Sequence, residues 1–374
     1  MTETFSLKDH LFNAGKVEKI AGEIARVYPA FQKAAFIQEV ISEFPRLELK
    51  ARITWIAACL HKHLPVDYSR AVSILVKSLP KPNNPDLLDD DFGDFIYAPY
   101  AEFVAKYGCT SEQLSASLGA LYEMTQRFSA EDAIRYFINA FPKQTLAMLK
   151  TWAADSHYHV RRLCSEGARP KLPWSQKISL KVHETIPILD MLFSDKTRFV
   201  TRSVANHVND ISKTDSVLAI KTLQRWKQTK KQSSAEMDYI IRHALRTLIK
   251  AGDPDALALL GFTHGAPVSV SKFQIPKEVR MNSHLVFSCV LVAQTDTNVL
   301  VDYAIHFQNK AGKMESKKVF KLTKAALKAG EPLTIQKRHM LRERMTTRTL
   351  YRGKHMLVLQ INGTNSAQKH FVLV

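Results

Sequence analysis

A length of 374 residues, with 45% hydrophobic and 24% charged content, allows two domains and a sizeable core. Lys+Arg 53 against Asp+Glu 35 gives a formal charge of +18 and a pI near 9.7, which favours a polyanion: DNA, RNA or an anionic membrane surface. No apolar run reaches the roughly 18 residues of a membrane span and the N-terminus lacks the apolar region of a signal peptide. Cys59, Cys109, Cys164 and Cys289 fall in no metal-like spacing, so the expectation is a cytoplasmic protein with reduced, buried thiols.

Residues 7–80 predict amphipathic helices, because Phe36-Ile37-Gln-Glu-Val40-Ile41 and Leu49-Lys-Ala-Arg-Ile53-Thr-Trp55-Ile56 follow the i, i+3, i+4, i+7 pattern. Residues 80–94 form a Pro- and Asp-rich loop. Its acids Asp89, Asp90, Asp91 and Asp94 lack the alternating spacing of a calcium loop and are expected to be solvated. Helical patterning returns over 97–262. Ser129-x-x-Asp132 has the form of a capping box opening a helix over 131–140. Asp155 and Asp195 occupy helix N-cap or first-turn positions, and Gly252 predicts a helix stop.

A repeat runs through this region. Asp155-x4-Val160-x-Arg162 is followed by Asp195-x4-Val200-x-Arg202 and then by Asp238-x3-Arg242, so Arg162, Arg202 and Arg242 are spaced 40 residues apart. The period matches helix pairs of the HEAT/armadillo class, and one arginine per unit makes a cationic stripe suited to a polyanion.

Near residue 263 the pattern changes to short alternating or apolar runs. These are Val268–Ser271, 285–292, 299–307, 317–322, 333–335, 355–361 and 370–374, with turns at Asn309-Lys-Ala-Gly312 and Asn362-Gly-Thr-Asn365. About seven strands in this length predict an immunoglobulin-like β-sandwich, without the Cys…Trp…Cys pattern of antibody domains. The expected architecture is mainly α: a helical solenoid over 1–262 and a small all-β sandwich over 263–374. The second part holds 18 Lys+Arg and 6 Asp+Glu, a net +12, and so most of the excess charge.

Several catalytic motifs are absent: GxxxxGK[ST], GxGxxG between strand and helix, HExxH and GxSxG. His157 and His159 are followed by nothing with metal spacing and read as polar helix-turn residues.

Four strings carry a family resemblance. They are Thr125-Gln-Arg-Phe-Ser-Ala-Glu131-Asp-Ala-Ile-Arg135, His159-Val-Arg-Arg-Leu-Cys-Ser-Glu166-Gly-Ala-Arg-Pro-Lys-Leu-Pro-Trp174, Val204-Ala-Asn206-His-Val-Asn209-Asp210-Ile-Ser-Lys213 and Ile241-Arg-His243-Ala-Leu-Arg246-Thr-Leu-Ile-Lys250. In this order they resemble the AlkC family of bacterial alkylpurine DNA glycosylases, from about residue 5 to 262. The basic sandwich resembles the immunoglobulin-like extension of one AlkC subgroup. Asp132 and Tyr136 depart from the family string, which has Phe and Pro there; Glu131 is kept. The resemblance implies excision of cationic N3-alkylated bases, such as 3-methyladenine and 3-methylcytosine, from double-stranded DNA. It also implies cleavage without flipping the lesion into a pocket, unlike most glycosylases.

By this resemblance Glu131 and Glu166 are the acids facing the lesion deoxyribose, stabilising an oxocarbenium-like sugar and orienting water. Read as residues alone, Glu131 is a first-turn helix acid and Glu166 an ion-pair partner of Arg162 or Arg169. Trp174 is either a contact to the lesion's sugar and backbone or a core anchor for the next helix. Trp152 and Trp226 read as core. Asp155 is either a third acid beside the lesion or a helix cap. Arg161, Arg162, Arg169, Arg202, Arg242, Arg246 and Lys213 are candidate phosphate contacts, about half of them expected to touch DNA. Asn206, Asn209 and Asp210 bond either to the sugar–phosphate or to helix ends. Lys337, Arg338, Arg342, Arg344, Arg348 and Arg352, with Lys354, are expected to form a second clamp on the duplex. The chemistry calls for no metal and no organic cofactor, and a monomer is expected. The competing readings are a non-catalytic nucleic-acid-binding scaffold and, less suited to the charge, a protein-binding solenoid.

Overall fold

The computed structural model describes residues 6–86, 89, 92–345 and 348–374. Helices come first: α1 (Leu7–Leu11), α2 (Ala14–Val27), α3 (Lys33–Glu43), α4 (Leu49–His63), α5 (Tyr68–Ser78), α6 (Ala98–Gly108), α7 (Leu114–Thr125), α8 (Ile134–Ala140), α9 (Pro142–Trp152), α10 (Tyr158–Glu166), α11 (Ile186–Leu192), α12 (Arg198–Ser212), α13 (Ser216–Thr229), α14 (Ser234–Ala244), α15 (Arg246–Ala251) and α16 (Pro254–Leu259). Among the described residues no helix is long and apolar enough to cross a membrane. The chain forms two compact units. One holds residues 1–214 and 225–244; the other holds 215–224 and 245–374. Residues 245–262, read with the helical part in the sequence, thus group with the strands.

In the first unit α10 packs on α12 and α12 on α14, so the 40-residue period is a stack of equivalent helices, each bearing one arginine of the repeat. The repeated aspartates act just before these helices. Asp155 Oδ1 accepts from the His157 N–H at 2.7 Å and Asp195 Oδ1 from the Thr197 N–H at 2.8 Å. The N-caps themselves are His157 and Thr197. Asp155 and Asp195 are therefore turn builders two residues upstream of the cap, because a short carboxylate reaches the amide two positions on. The third repeat departs from this, since Asp238 lies inside α14.

The capping box at 129 does not form. Ser129 Oγ donates to Glu131 Oε2 at 2.7 Å and α8 starts at Ile134, leaving Glu131 in a turn. The acidic loop is not simply solvated either. Asp94 accepts from Lys16 at 3.0 Å and Lys19 at 2.8 Å, and Asp89 pairs with Arg202. Asp90 and Asp91 lie outside the described residues.

In the second unit the strands are β1 (Val268–Gln274), β2 (Glu278–Val279), β3 (His284–Ala293), β4 (Thr297–Phe307), β5 (Ser316–Leu327), β6 (Pro332–Met340), β7 (Arg344–Met345), β8 (Arg348–Thr349), β9 (Gly353–Ile361) and β10 (Thr364–Leu373). They form the sheets β1-β3-β6 and β2-β10-β9-β4-β5, with β7 and β8 paired separately. Alternate residues of β3 are buried, which places Leu285, Phe287, Cys289 and Leu291 in a core shared with Tyr303, Ile305, Leu357 and Leu359. Asn362 (φ 45) and Gly363 (φ 79) make the two left-handed positions of the β9–β10 hairpin turn. Gly252 ends α15 in the left-handed region and touches that turn, and a Cβ on it would lie 2.7 Å from the Gly363 carbonyl oxygen. Leu257 and Phe262 bury the outer side of β4 at Leu300.

Candidate active site

Glu131 is positioned by backbone pairing and by one arginine. The Arg127 carbonyl accepts from the Asp94 N–H at 3.1 Å, and Gly93 bridges to Phe128. A Cβ at Gly93 would fall 1.8 Å from the Arg127 oxygen, so only glycine permits this approach. The turn that follows presents Glu131, 28% exposed at its side chain. Its Oε2 accepts from Arg162 Nη1 at 2.7 Å as well as from Ser129, while among the described residues no hydrogen bond reaches Oε1.

Arg162 comes from α10, and its guanidinium lies over the Phe199 ring of α12 at 4.5 Å. On its far side is Glu166, 3.9 Å from Nη2. Glu166 is 5% exposed and fully hydrogen-bonded: Oε1 accepts from Arg169 at 2.5 Å and Oε2 from Ser203 at 2.6 Å. Burial alone would raise its pKa, but Arg162, Arg169 and the Ser203 hydroxyl together hold it below the usual carboxylate range. The charge alternation continues inward. Arg169 Nε donates to Asp210 at 2.9 Å, and Asp210 also accepts from Lys213 at 2.9 Å. Behind this row His207 is buried between Ser165 and Thr185, and desolvation pushes its imidazole down to about 4.

Trp174 reaches the same place by a loop. Fully buried Arg135 donates to the carbonyls of Gly167, Arg169 and Gln176, which anchors both ends of the segment. Between them Trp174 adopts φ 62 with 85% of its surface exposed. That exposure excludes the role of core anchor. Large exposed aromatics in a disfavoured backbone region are held there by surrounding structure and cluster at working sites. Glu131, Asp132 and Trp174 border one cavity of about 300 Å³ whose apolar walls include Leu11, Ile53, Phe95 and Phe128. Neither Glu166 nor Arg162 borders it; Arg162 links Glu166 to Glu131.

Other expected site residues separate into two groups. Arg161 is buried with Nε and Nη2 on Asp195 (2.5 and 3.1 Å) and Nη1 on two backbone carbonyls. Arg161, Arg162, Arg169 and Asp210, expected as phosphate or sugar–phosphate contacts, are each at least 91% buried and engaged in internal ion pairs. The physical reason is that buried charges persist only when paired. Asp155 accepts from Tyr122 at 2.9 Å and holds the turn before α10, whereas the helix cap expected as its alternative role is taken by His157. Asn206 meets His243 at 2.8 Å, and Asn209 donates to the Ala244 carbonyl at 2.8 Å. Trp152 and Trp226 are core. Toward solvent remain Arg242, the outer part of Lys213, and Arg202 beside Asp89. In the second unit Arg246 and Lys337 are half-buried, Arg338, Arg342, Arg344, Arg352 and Lys354 are exposed, and the side chain of Arg348 lies outside the described residues.

Ser203, Phe199, Arg135 and Lys50 all shape the site, yet the sequence offered no local signal for them. Their partners lie 32 to 124 positions away. Among the described residues there is no cluster of His, Cys, Asp and Glu arranged to hold a metal ion.

Residues 269–374 match the family described as uncharacterised protein YhaZ, C-terminal Ig-like domain. Over 358 residues the chain is 32% identical to the uncharacterized protein YhaZ of Bacillus subtilis (strain 168), spanning 94% of this chain and 95% of that protein. Its fold is similar to that of Pseudomonas fluorescens alkylpurine DNA glycosylase AlkC bound to DNA containing an abasic site analog. That similarity has a TM-score of 0.88 and 32% identity, over 99% of this chain and 100% of the other.

Proposed function

The chain belongs to the AlkC family of bacterial alkylpurine DNA glycosylases, and from that membership we propose that it is a DNA repair glycosylase. Its substrates are cationic N3-alkylated bases, 3-methyladenine and 3-methylcytosine, in double-stranded DNA. The observation that carries the reading is the cavity bordered by both Glu131 and the exposed Trp174.

An alkylated base already carries positive charge, so it departs with the glycosidic electron pair without first being protonated. The demand falls on the sugar, where positive charge develops at C1′. Glu131 answers it. Arg162 and Ser129 fix Oε2, which leaves Oε1 to meet the sugar or a water. The water oxygen bonds to C1′, its proton passes to the carboxylate and then to solvent, and an abasic site remains on an intact strand. Trp174 packs against the lesion's sugar and backbone. Glu166 acts through charge, offsetting the guanidinium of Arg162 that would otherwise oppose the cationic sugar beside Glu131. The lesion is engaged at its deoxyribose without being turned out of the duplex. Arg242, Lys213 and the exposed cations of the sandwich grip phosphates, and the protein works as a monomer.

The test is release of free 3-methyladenine from methylated duplex DNA. Wild type is expected to release it. Glu131→Gln is expected to lose about 10²-fold or more, the scale of removing an electrostatic stabiliser, with affinity for abasic-analog DNA retained; Glu166→Gln is expected to slow release as well. Tight, salt-sensitive binding with no release by wild type would leave a DNA-binding scaffold.

A further inference from the structure

We propose that Lys50 is a positioning residue for this reaction, an ammonium bordering the cavity that fixes Trp174 and the acid-bearing turn together. The inference rests on the glycosylase reading for its effect on rate, though not for its effect on Trp174.

Lys50 opens α4, far in sequence from either partner. Its Nζ donates to the carbonyl of Trp174 and lies 3.4 Å from Asp132 Oδ2, next to Glu131 in the chain. All four residues border the same cavity. An ammonium has three donors and no acceptor, so one Lys can hold a carbonyl and a carboxylate at once. The need for such a tie is set by the backbone. Trp174 has the left-handed conformation that a residue with a Cβ disfavours, and its ring is almost wholly in solvent. Neither preference nor packing therefore holds it. Arg135 secures the loop at residues 167, 169 and 176, while the Lys50 bond meets its apex.

The Lys50 and Asp132 side chains are 58% and 48% exposed. An exposed pair of this kind contributes little to stability, so its loss is expected to leave the protein folded and to change geometry instead. Small misplacements at a reacting centre cost rate steeply.

The experiment compares wild type, Lys50→Met and Lys50→Arg, each labelled with 5-fluorotryptophan. The chain has four tryptophans, and the Trp174 resonance is assigned by its absence in Trp174→Phe. In DNA-free protein, Lys50→Met is expected to shift or broaden the Trp174 line and leave the other lines in place. Its single-turnover release of 3-methyladenine at saturating protein is expected to fall about tenfold or more. Lys50→Arg, which keeps donors for both acceptors, is expected to restore the line and the rate. A wild-type Trp174 line in Lys50→Met overturns the inference, and so does a shifted line with an unchanged rate. If every tryptophan line moves in Lys50→Met, the variant is misfolded and Lys50→Arg decides, failure to restore the wild-type line and rate overturning the inference. If wild type itself releases no base, the glycosylase reading falls, while the Trp174 line still decides whether Lys50 holds the loop.

Discussion

Arg162 is the centre of the local electrostatics, with Glu131 at 2.7 Å and Glu166 at 3.9 Å on different edges of one guanidinium. Burial works against its charge, and the two carboxylates more than restore it. Pairing of this kind separates the arginines that build the protein from those left to meet a ligand. Arg161 is in the first class. Arg161→Ala leaves the carboxylate of Asp195, 5% exposed, without its counter-charge, and a loss of about 3–5 kcal/mol is expected. Urea unfolding reads that loss, while the dependence of DNA affinity on salt should stay as in wild type. A shallower salt dependence with intact stability would return Arg161 to the phosphates. At this scale the sequence singled out Glu131 and Trp174 as candidates, and both border one cavity. It did not show which arginines were already engaged, because Asp195 and Asp210 come from other repeats.

Among the elements, β4 carries a charge in an unfavourable place. Asp302 lies on the strand between Lys321 of β5 and Lys250 of α15, and desolvation raises its carboxyl to about 6 in spite of both lysines. Its folded-state pKa exceeds the ordinary 3.8, so the native state holds the proton longer as pH rises. Stability therefore falls between about pH 4 and 6 and stays lower above that range. Asp302→Asn is expected to gain on the order of 1–2 kcal/mol at pH 8 and nothing below pH 4. Thermal melts at the two pH values check this, and an equal effect at both would sink it. The strands themselves were legible because a half-buried strand alternates with period two, as β3 does. Helix starts were less legible. Ser129 and Asp132 have capping spacing, yet Ser129 turns to Glu131 and the helix begins later.

For the whole molecule the dominant quantity is charge, +18 in all and +12 over residues 263–374. If the sandwich grips DNA, each phosphate contact releases counterions and adds about 0.9 to the slope of log affinity on log salt. Replacing Arg338, Arg342 and Arg352 together with Ala is expected to lower that slope by up to about 3. Melting temperature should hardly change, since all three are exposed. An unchanged slope would show that this surface does not meet the duplex.

The sequence alone determined the succession of helices and strands, the 40-residue period, the hairpin at Asn362-Gly363 and the basic last third. Each of these is a local, periodic or compositional property that can be read along the chain without knowing which segments pack together. The four strings were enough to resemble AlkC and to single out Glu131. Only the tertiary structure decided that Glu166 lies off the cavity and reaches Glu131 through Arg162, that Trp174 stands in solvent, and that Asp155 builds a turn. It also brought Lys50 to the carbonyl of Trp174, 124 residues on. Those outcomes depend on which charges find partners when distant helices pack, and no spacing within one segment records that.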